Sequence, residues 1–475
     1  MEVIELSTRN IFENINPFDH RYSYKKELYN KLSNYLSEKA NIEYQLQVEL
    51  ALIKSLQKMG ICSKQVVKEV ETAVAKITPQ AAYQKEQKTK HNIRALVNLI
   101  QEKVSDEAKP FIHLTATSYD IVDTANSLRY QEVTEDIILP RLEKLINQLI
   151  RLAEKERDTI QIGRTHGQHA VPITFGYVLA GYVERLGLRY EEIKKKADQL
   201  KGKFSGACGT YNASSLFFED PIEFEKTVMD ELGIEAGDFS TQIVIAEFMT
   251  DFIHAIISTF GIIANFSDDM RNLQRTEINE VGEFFSKDQV GSSTMPHKRN
   301  PINYENIKSM WKRTMPQMNT VYMDQISEHQ RDLSNSASSR FIPEIITGFV
   351  LSVERLNRVL QKFGIDRERM KENFDLHREK IIAEPLYIIL ASQGHPDAHE
   401  AVRKLTLQAE ESDKTPRELF YLQNEFAEYR KKMTDYQKEI IENPKKYTGI
   451  AKKEQIILLI SGINTSRRRD KNGKR

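Results

Sequence analysis

Apolar residues recur at helical spacing through most of the chain, and the alternating patterns typical of strands are scarce. Between residues 138 and 152 the apolar positions are separated alternately by four and three residues, which is the stripe of a long helix in a bundle. Residues 244–266 and 345–360 are apolar on more than one helical face. Helices of this kind usually pack against partners beyond their own chain. The pattern predicts an all-α protein that assembles into an oligomer, in preference to a monomeric bundle.

The helical pattern also predicts how the chain is divided. With 475 residues the chain is too long for one compact core. We expect an N-terminal helical domain over residues 1–114, a central long-helix bundle over residues 115–364 and a smaller C-terminal helical domain over residues 365–475. The last residues, 466–475, are polar and strongly basic, which predicts a disordered tail.

The balance of charge argues against some classes of protein. Lysine and arginine together number 68, as do aspartate and glutamate, so a broad basic surface for nucleic acid is not expected. The most apolar long stretch, 244–266, contains Glu247, Asp251 and His254, and a buried helix fits it better than a membrane span. The two cysteines fit a reducing compartment, and residues 1–10 lack the apolar core of a signal peptide. We therefore expect a cytoplasmic protein that binds neither nucleic acid nor membrane.

Residues 291–301 carry the strongest chemical signal, with the sequence GSSTMPHKRNP. The first six residues are mostly small and polar, which predicts a loop. Asn300 followed by Pro301 predicts the start of a helix, because asparagine caps helices and proline favours the first helical position. Lys298 and Arg299 would then lie beside free N–H groups that attract a carboxylate or a phosphate. An ordinary basic loop before a helix would account for the same residues.

This loop resembles the signature loop of the fumarase/aspartase superfamily over eleven consecutive residues. The resemblance implies an enzyme that eliminates across a carbon–carbon bond, in most members with release of fumarate. It also implies that Ser292 is the general base, which removes a proton beside a carboxylate. Lys298 and Asn300 would hold that carboxylate, and the chemistry needs such fixed donors because negative charge builds up there.

A second segment resembles another motif of the same superfamily. Residues 163–168 read GRTHGQ, and His166 stands at the position of the general acid. A histidine suits this role because it titrates near neutrality and can deliver a proton to a leaving nitrogen. Thr165 would orient the substrate or the histidine. Taken alone, a histidine in such a segment would more often be structural.

A third segment, residues 113–125, reads HLTATSYDIVDTA. Thr117 and Ser118 match the superfamily's hydroxyl pair that binds the succinyl carboxylates, although such pairs also cap helices. We expect Asp120 and Asp123 to be helix caps or supporting groups rather than catalysts.

Residues 16–22 read NPFDHRY and residues 330–340 read QRDLSNSASSR, and within the superfamily both segments resemble those by which the adenylosuccinate lyases hold a nucleotide. Guanidinium groups combined with a hydroxyl suit a phosphate, although arginines at this spacing could instead form a surface ion-pair network. Where the family often has His-Asp, this chain has His91 followed by Asn92, which removes a charge that could orient the histidine. By resemblance, the substrate-binding residues in these and neighbouring segments are Arg21, Tyr22, Lys90, His91, Asn92, Gln242, Arg331, Ser336 and Arg340, and His91 would approach the phosphate or the leaving group.

The resemblance implies a carbon–nitrogen lyase of purine biosynthesis, a homotetramer whose active sites are shared between subunits. It would cleave adenylosuccinate to AMP and fumarate, and the related succinyl-aminoimidazole carboxamide ribonucleotide to AICAR and fumarate. No cofactor or metal is expected, because the sequence contains no phosphate loop, dinucleotide fingerprint or zinc-ligand spacing. An argininosuccinate lyase, a carboxymuconate cycloisomerase and a non-catalytic structural relative are the alternatives. Neither of the two enzymes accounts for Arg21 and Tyr22 together with Arg331.

Overall fold

The structure is a computed structural model that describes residues 10–24, 26–284, 293–295 and 297–452. Helices make up most of these residues, and the described strands form two short antiparallel pairs, so the all-α class is confirmed. The N-terminal helices are α1 (Lys26–Leu36), α2 (Glu38–Lys58), α3 (Lys64–Val74), α4 (Pro79–Thr89) and α5 (Asn92–Gln101). The middle helices are α6 (Ser118–Val133), α7 (Leu139–Lys155), α8 (Phe175–Asp198), α9 (Pro221–Leu232), α10 (Ala246–Leu273), α11 (Ile302–Thr314), α12 (Gln317–Met323) and α13 (Ile342–Leu360). The C-terminal helices are α14 (Arg367–Asp375), α15 (Ala383–Ser392), α16 (Ala398–Glu410), α17 (Pro416–Leu422), α18 (Ala427–Lys432) and α19 (Asp435–Glu442). The strands are β1 (Ile160–Thr165), β2 (Gln168–Thr174), β3 (Val281–Gly282) and β4 (Gly364–Ile365).

The predicted stripe between residues 138 and 152 lies on one continuous helical segment. A π-helical turn, Thr134–Ile138, joins α6 to α7, so the chain stays helical from one to the other. The buried members of the stripe are Ile138, Leu142, Leu145 and Leu149. Burial of this face explains why the apolar positions recur at alternating spacings of four and three.

By length and composition alone, α10 could cross a membrane, but half of its most apolar stretch is buried inside the protein. Two of its polar residues also have partners. Asp251 accepts a hydrogen bond from Nζ of Lys196 at 2.7 Å, and Nδ1 of His254 lies 2.7 Å from the hydroxyl of Tyr322. These contacts favour the interpretation of α10 as a core helix.

The chain folds into two compact units, and the division between them falls within α7, α8, α10, α11 and α13. The first unit comprises Met1–Glu143, Arg189–Gly261 and Ser309–Glu354. The second unit comprises Lys144–Leu188, Ile262–Lys308 and Arg355–Arg475. The three domains expected from the sequence stay a prediction.

Each unit has an apolar core of its own. In the first unit, α2, α3, α5, α6 and α9 contribute the buried residues Leu52, Val70, Ile100, Ile121 and Phe224. In the second unit, the C-terminal helices enclose Leu386, Leu390, Phe420, Phe426 and Ile441.

Gly176, the second residue of α8, lies against the end of α7. A Cβ added there would lie 2.5 Å from the carbonyl oxygen of Ala153 and 2.8 Å from the backbone of Arg157. Backbone atoms cannot yield as a flexible side chain would, so we expect Gly176→Ala to lower the free energy of unfolding by about 1–3 kcal/mol. Chemical denaturation measures this change.

The matched control is Gly181→Ala in the same helix, where an added Cβ meets no atom outside the helix within 4 Å. Alanine there should raise the free energy of unfolding by up to about 1 kcal/mol, because glycine is a poor helix former. Equal stability of the two variants would contradict the close packing at Gly176.

Candidate functional site

The N-terminus of α6 brings two of the predicted substrate-binding segments together. Thr117 precedes the helix, and its backbone N–H donates to Oδ2 of Asp120 at 2.7 Å, so Asp120 is a helix cap as expected. The hydroxyl of Ser118 lies 3.3 Å from Nε2 of His91. Nδ1 of His91 accepts the N–H of Arg94 at 3.3 Å, so a neutral ring carries its proton on Nε2 and donates it to Ser118.

Residues 90–92 mark the point where α4 ends and α5 begins. Lys90 has a left-handed backbone with φ of 54°, and its N–H donates to the carbonyl oxygen of Glu86 at 2.7 Å. His91 caps α5, and Asn92 is the first residue of that helix. All three side chains are exposed and therefore accessible to a ligand.

Arg331 is held against Tyr119, the second residue of α6. Nη2 of Arg331 donates to the Tyr119 hydroxyl at 2.6 Å and to Oδ1 of Asn335 at 2.8 Å. The guanidinium carbon lies 4.3 Å from the centre of the Tyr119 ring. Nε of Arg331 is buried and has no partner among the described residues. An unpaired buried donor is costly, so this guanidinium is a candidate for binding an anion.

The other predicted phosphate-binding residues lie on turns at the surface. Ser336 is partly buried, whereas Arg340 is exposed on a 3₁₀ turn just before α13. Arg21 is exposed as well, and Tyr22 is anchored by the buried Phe18, whose ring centre lies 5.6 Å from its own. The guanidinium of Arg313 covers Phe18 at 5.2 Å.

Gln242 lies in the loop between α9 and α10. The backbone N–H of Val244 in this loop donates to Oδ2 of Asp123 at 2.9 Å, so α6 holds the loop directly. Burial raises the pKa of Asp123 to about 6, although the Val244 hydrogen bond opposes the shift. The Asp123 carboxyl and Tyr119 line a cavity of about 110 Å³. Asp123 therefore supports the loop that carries Gln242, and its exclusion from the chemistry stays a prediction.

In the second unit, His166 stands at the tip of the hairpin formed by β1 and β2. Thr165 pairs with Gln168, so His166 and Gly167 are the two turn residues, with φ of 55° and 76°. Two positive φ values are typical of a type I′ turn. A left-handed backbone is uncommon for a residue other than glycine and recurs at functional sites. The side chains of Thr165 and His166 are exposed. This hairpin was not predicted from the sequence.

A buried carboxylate, Glu280, fixes the base of the hairpin. It accepts hydrogen bonds from Gln161 and Arg164 of β1, both at 2.6 Å, and from Asn373 of α14 at 2.9 Å. An isolated carboxylate in such a place would be costly, so these side chains form one interdependent group. No sequence pattern predicted it, because its members are separated from Glu280 by 93 to 119 residues.

The predicted general base, Ser292, lies outside the described residues. Lys298 is exposed and Asn300 is partly buried. The expectation of free N–H groups at the start of the following helix, α11, is wrong. The N–H groups of Asn303 and Tyr304 donate to Oε1 of Glu283 at 2.9 and 3.0 Å. Glu283 is itself buried and therefore needs these donors.

Comparisons with known proteins identify relatives over most of the chain. The family model described as "Lyase" matches residues 21–315, and the model described as "Adenylosuccinate lyase C-terminal" matches residues 327–440. An adenylosuccinate lyase from Aquifex aeolicus is 34% identical over 81% of this chain and 87% of its own length. An adenylosuccinate lyase from Pyrococcus horikoshii is 33% identical over 92% of this chain and 96% of its own length.

Solved structures support the fold. The 3-carboxy-cis,cis-muconate lactonizing enzyme from Pseudomonas putida has a TM-score of 0.80 at 22% identity, covering 92% of this chain and 97% of the other. A fumarate lyase from Mesorhizobium has a TM-score of 0.79 at 22% identity, covering 91% and 97%. At this level of identity, the likeness concerns the fold alone.

The role of Glu280 can be tested without any assay of activity. Glu280→Ala removes the acceptor of the buried Gln161 and Asn373 and of the partly buried Arg164. We therefore expect amide hydrogen exchange in the hairpin, residues 160–174, to accelerate by at least about 10-fold. The matched control is Glu372→Ala on α14, whose exposed pair with Arg369 contributes little. Unchanged exchange in the hairpin of Glu280→Ala would contradict the anchoring role.

Proposed function

Because this chain belongs to the adenylosuccinate lyase family, within the fumarase/aspartase superfamily, we propose that it cleaves adenylosuccinate to AMP and fumarate. The contact between His91 and Ser118 is the observation that supports this proposal best. It joins a segment assigned to the nucleotide with a segment assigned to the succinyl group. A substrate that contains both groups suits this pairing.

The succinyl carboxylate would bind at the start of α6. The hydroxyls of Thr117 and Ser118 lie beside the N-terminus of a helix of 16 residues, whose dipole favours an anion. Lys298 would supply the positive charge that stabilises this carboxylate as negative charge builds up on it. Asn300 would act as an uncharged hydrogen-bond donor.

In the proposed reaction, Ser292 removes a proton from the succinyl carbon next to a carboxylate, and the electron pair is held as an aci-carboxylate. The bond between the neighbouring carbon and the purine's exocyclic nitrogen then breaks. His166 donates a proton to the departing nitrogen, which leaves as the amine of AMP, while the succinyl part leaves as fumarate. The exposed position of His166 at a rigid turn supports this role.

The nucleotide would be held by Arg331 and by the groups around it. The buried Nε–H of Arg331 has no partner among the described residues, which supports an anionic ligand there. The exposed guanidinium of Arg340 and the hydroxyl of Ser336 would act with it, and Gln242 would contact the substrate. The remaining proposed substrate contacts are Arg21, Tyr22, Lys90, His91 and Asn92, and Thr165 would orient the substrate or His166.

We also propose activity on the succinyl-aminoimidazole carboxamide ribonucleotide, which would yield AICAR and fumarate. Like adenylosuccinate it has a phosphoribosyl group and a succinyl group on a nitrogen, here a carboxamide nitrogen, so the same contacts would serve both.

The protein is proposed to be a cytoplasmic homotetramer in which different subunits supply His166 and Ser292 to one site. Exposed apolar residues on the described helices support association. Tyr177 and Leu188 on α8 are 43% and 62% exposed, and Met323 at the end of α12 is 62% exposed.

Fumarate release, followed by ultraviolet absorbance, tests the proposed activity. We expect release from adenylosuccinate and none from argininosuccinate. His166→Ala should lower kcat by about 10²–10⁴-fold, the usual contribution of a positioned general acid. The control His399→Ala changes an exposed histidine on α16 and should leave kcat unchanged.

Two outcomes would contradict the proposal in different ways. Absence of fumarate from adenylosuccinate would reject the substrate. Normal turnover by His166→Ala would reject His166 as the general acid and leave the substrate assignment intact.

A further inference from the structure

A loop that no sequence motif identified, residues 203–211 between α8 and α9, connects two proposed substrate-binding segments of the first unit. One end of this 203–211 loop contacts the cap of α6, where Thr117 and Ser118 lie. The other end contacts residues 240–241, next to Gln242.

At the first end, Lys203 forms an ion pair with Asp120, and the two side chains are 1% and 0% exposed. Nζ of Lys203 also donates to the carbonyl oxygen of Gly206 at 3.1 Å, and the N–H of Gly206 donates to Asp120 at 3.3 Å. The same carboxylate accepts the N–H of Thr117. One buried carboxylate therefore fixes the loop and the cap of α6 together.

The loop touches the Gln242 segment at two points, one next to Lys203 and one nearer its other end. The hydroxyl of Ser205 hydrogen-bonds that of Ser240 at 2.5 Å. Gly209 has φ of +74°, and a Cβ added there would collide with the carbonyl oxygen of Ser240. A glycine is required at this point for both reasons, the left-handed backbone and the close approach.

A second buried carboxylate stabilises the conformation of the 203–211 loop. Glu225 of α9 accepts the N–H of Phe204 at 2.5 Å and the hydroxyl of Tyr211 at 2.6 Å. These contacts restrain the loop from Lys203 to Tyr211, so we expect a displacement at one end to affect the other.

A buried ion pair is weak evidence for stability, because the cost of removing two charges from water offsets most of their attraction. The pair between Lys203 and Asp120 is better explained by the geometry that it enforces. We propose that Lys203 is a positioning residue, which keeps the Thr117–Ser118 hydroxyls and Gln242 at the separation that the substrate requires. This inference rests on the proposed function.

The first test is Lys203→Met, which keeps the length of the side chain and removes its charge. Asp120 is then left buried without its cation, so we expect a lower melting temperature. Because displacement of substrate-positioning groups by about 1 Å can reduce activity by about 10²-fold, we also expect KM for adenylosuccinate to rise by at least about 10-fold. Amide exchange should accelerate both at residues 117–120 and at residues 240–244.

The second test is Gly209→Ala, which leaves the buried pair intact and displaces the far end of the loop. Its matched control is Gly233→Ala, at the end of α9, where φ is +70° and an added Cβ meets no atom within 4 Å. Both variants carry the same backbone strain, but only Gly209→Ala should raise KM and accelerate exchange at residues 240–244. The strain of a left-handed alanine alone would move the two variants equally, so a difference between them reports the displacement of residues 240–241. If Lys203→Met does not fold, the comparison of Gly209→Ala with Gly233→Ala still tests the positioning role.

The possible outcomes separate the two proposals. If wild-type protein releases no fumarate but the exchange pattern is as expected, the proposed function fails and the coupling role of the loop stands. If wild-type protein is active and Lys203→Met or Gly209→Ala leaves both KM and exchange at residues 240–244 unchanged, the positioning role is rejected. Equal effects of Gly209→Ala and Gly233→Ala would reject it as well.

Discussion

A carboxylate that is removed from water must be compensated by donors, and this constraint organises three of the segments that carry candidate site residues. Asp120, Glu280 and Glu283 are all buried. Each draws its donors from a segment to which a site residue has been assigned: the cap of α6, the hairpin of His166 and the start of α11. Because leaving a buried charge unpaired would cost several kcal/mol, these segments are fixed in place.

Two of the exposed residues assigned to the site, Lys90 and His166, lie at turns, and the buried Glu280 restrains the strand that leads to His166. Lys90, His166 and Tyr211 all have left-handed backbones, which cost free energy for residues other than glycine. Such a conformation persists only where the surroundings fix it. Hydrogen bonds to Glu280 restrain the strand leading to His166, and Glu225 restrains Tyr211. Rigid turns keep reactive groups accessible while preserving their geometry.

Features that depend on residues close together in the chain could be predicted from the sequence, whereas contacts between residues far apart could not. The stripe from Ile138 to Leu149 and the cap formed by Asp120 depend on neighbours within a few residues, so local patterns predicted both. The ion pair between Lys203 and Asp120 spans 83 residues, and Glu280 receives donors from even greater distances, so neither could be predicted. The N–H groups at the start of α11 were expected to be free because their acceptor, Glu283, lies about twenty residues earlier and belongs to no motif.

The central claim is that His166 and Ser292 act in one site to which different subunits contribute. The most direct measurement mixes inactive His166→Ala subunits with inactive Ser292→Ala subunits, dissociates and reassociates them, and follows fumarate release from adenylosuccinate. The account predicts activity well below wild type but far above either parent, because some sites would then collect both intact residues. If mass spectrometry confirmed that subunits had exchanged and no activity returned, the shared-site account would be contradicted.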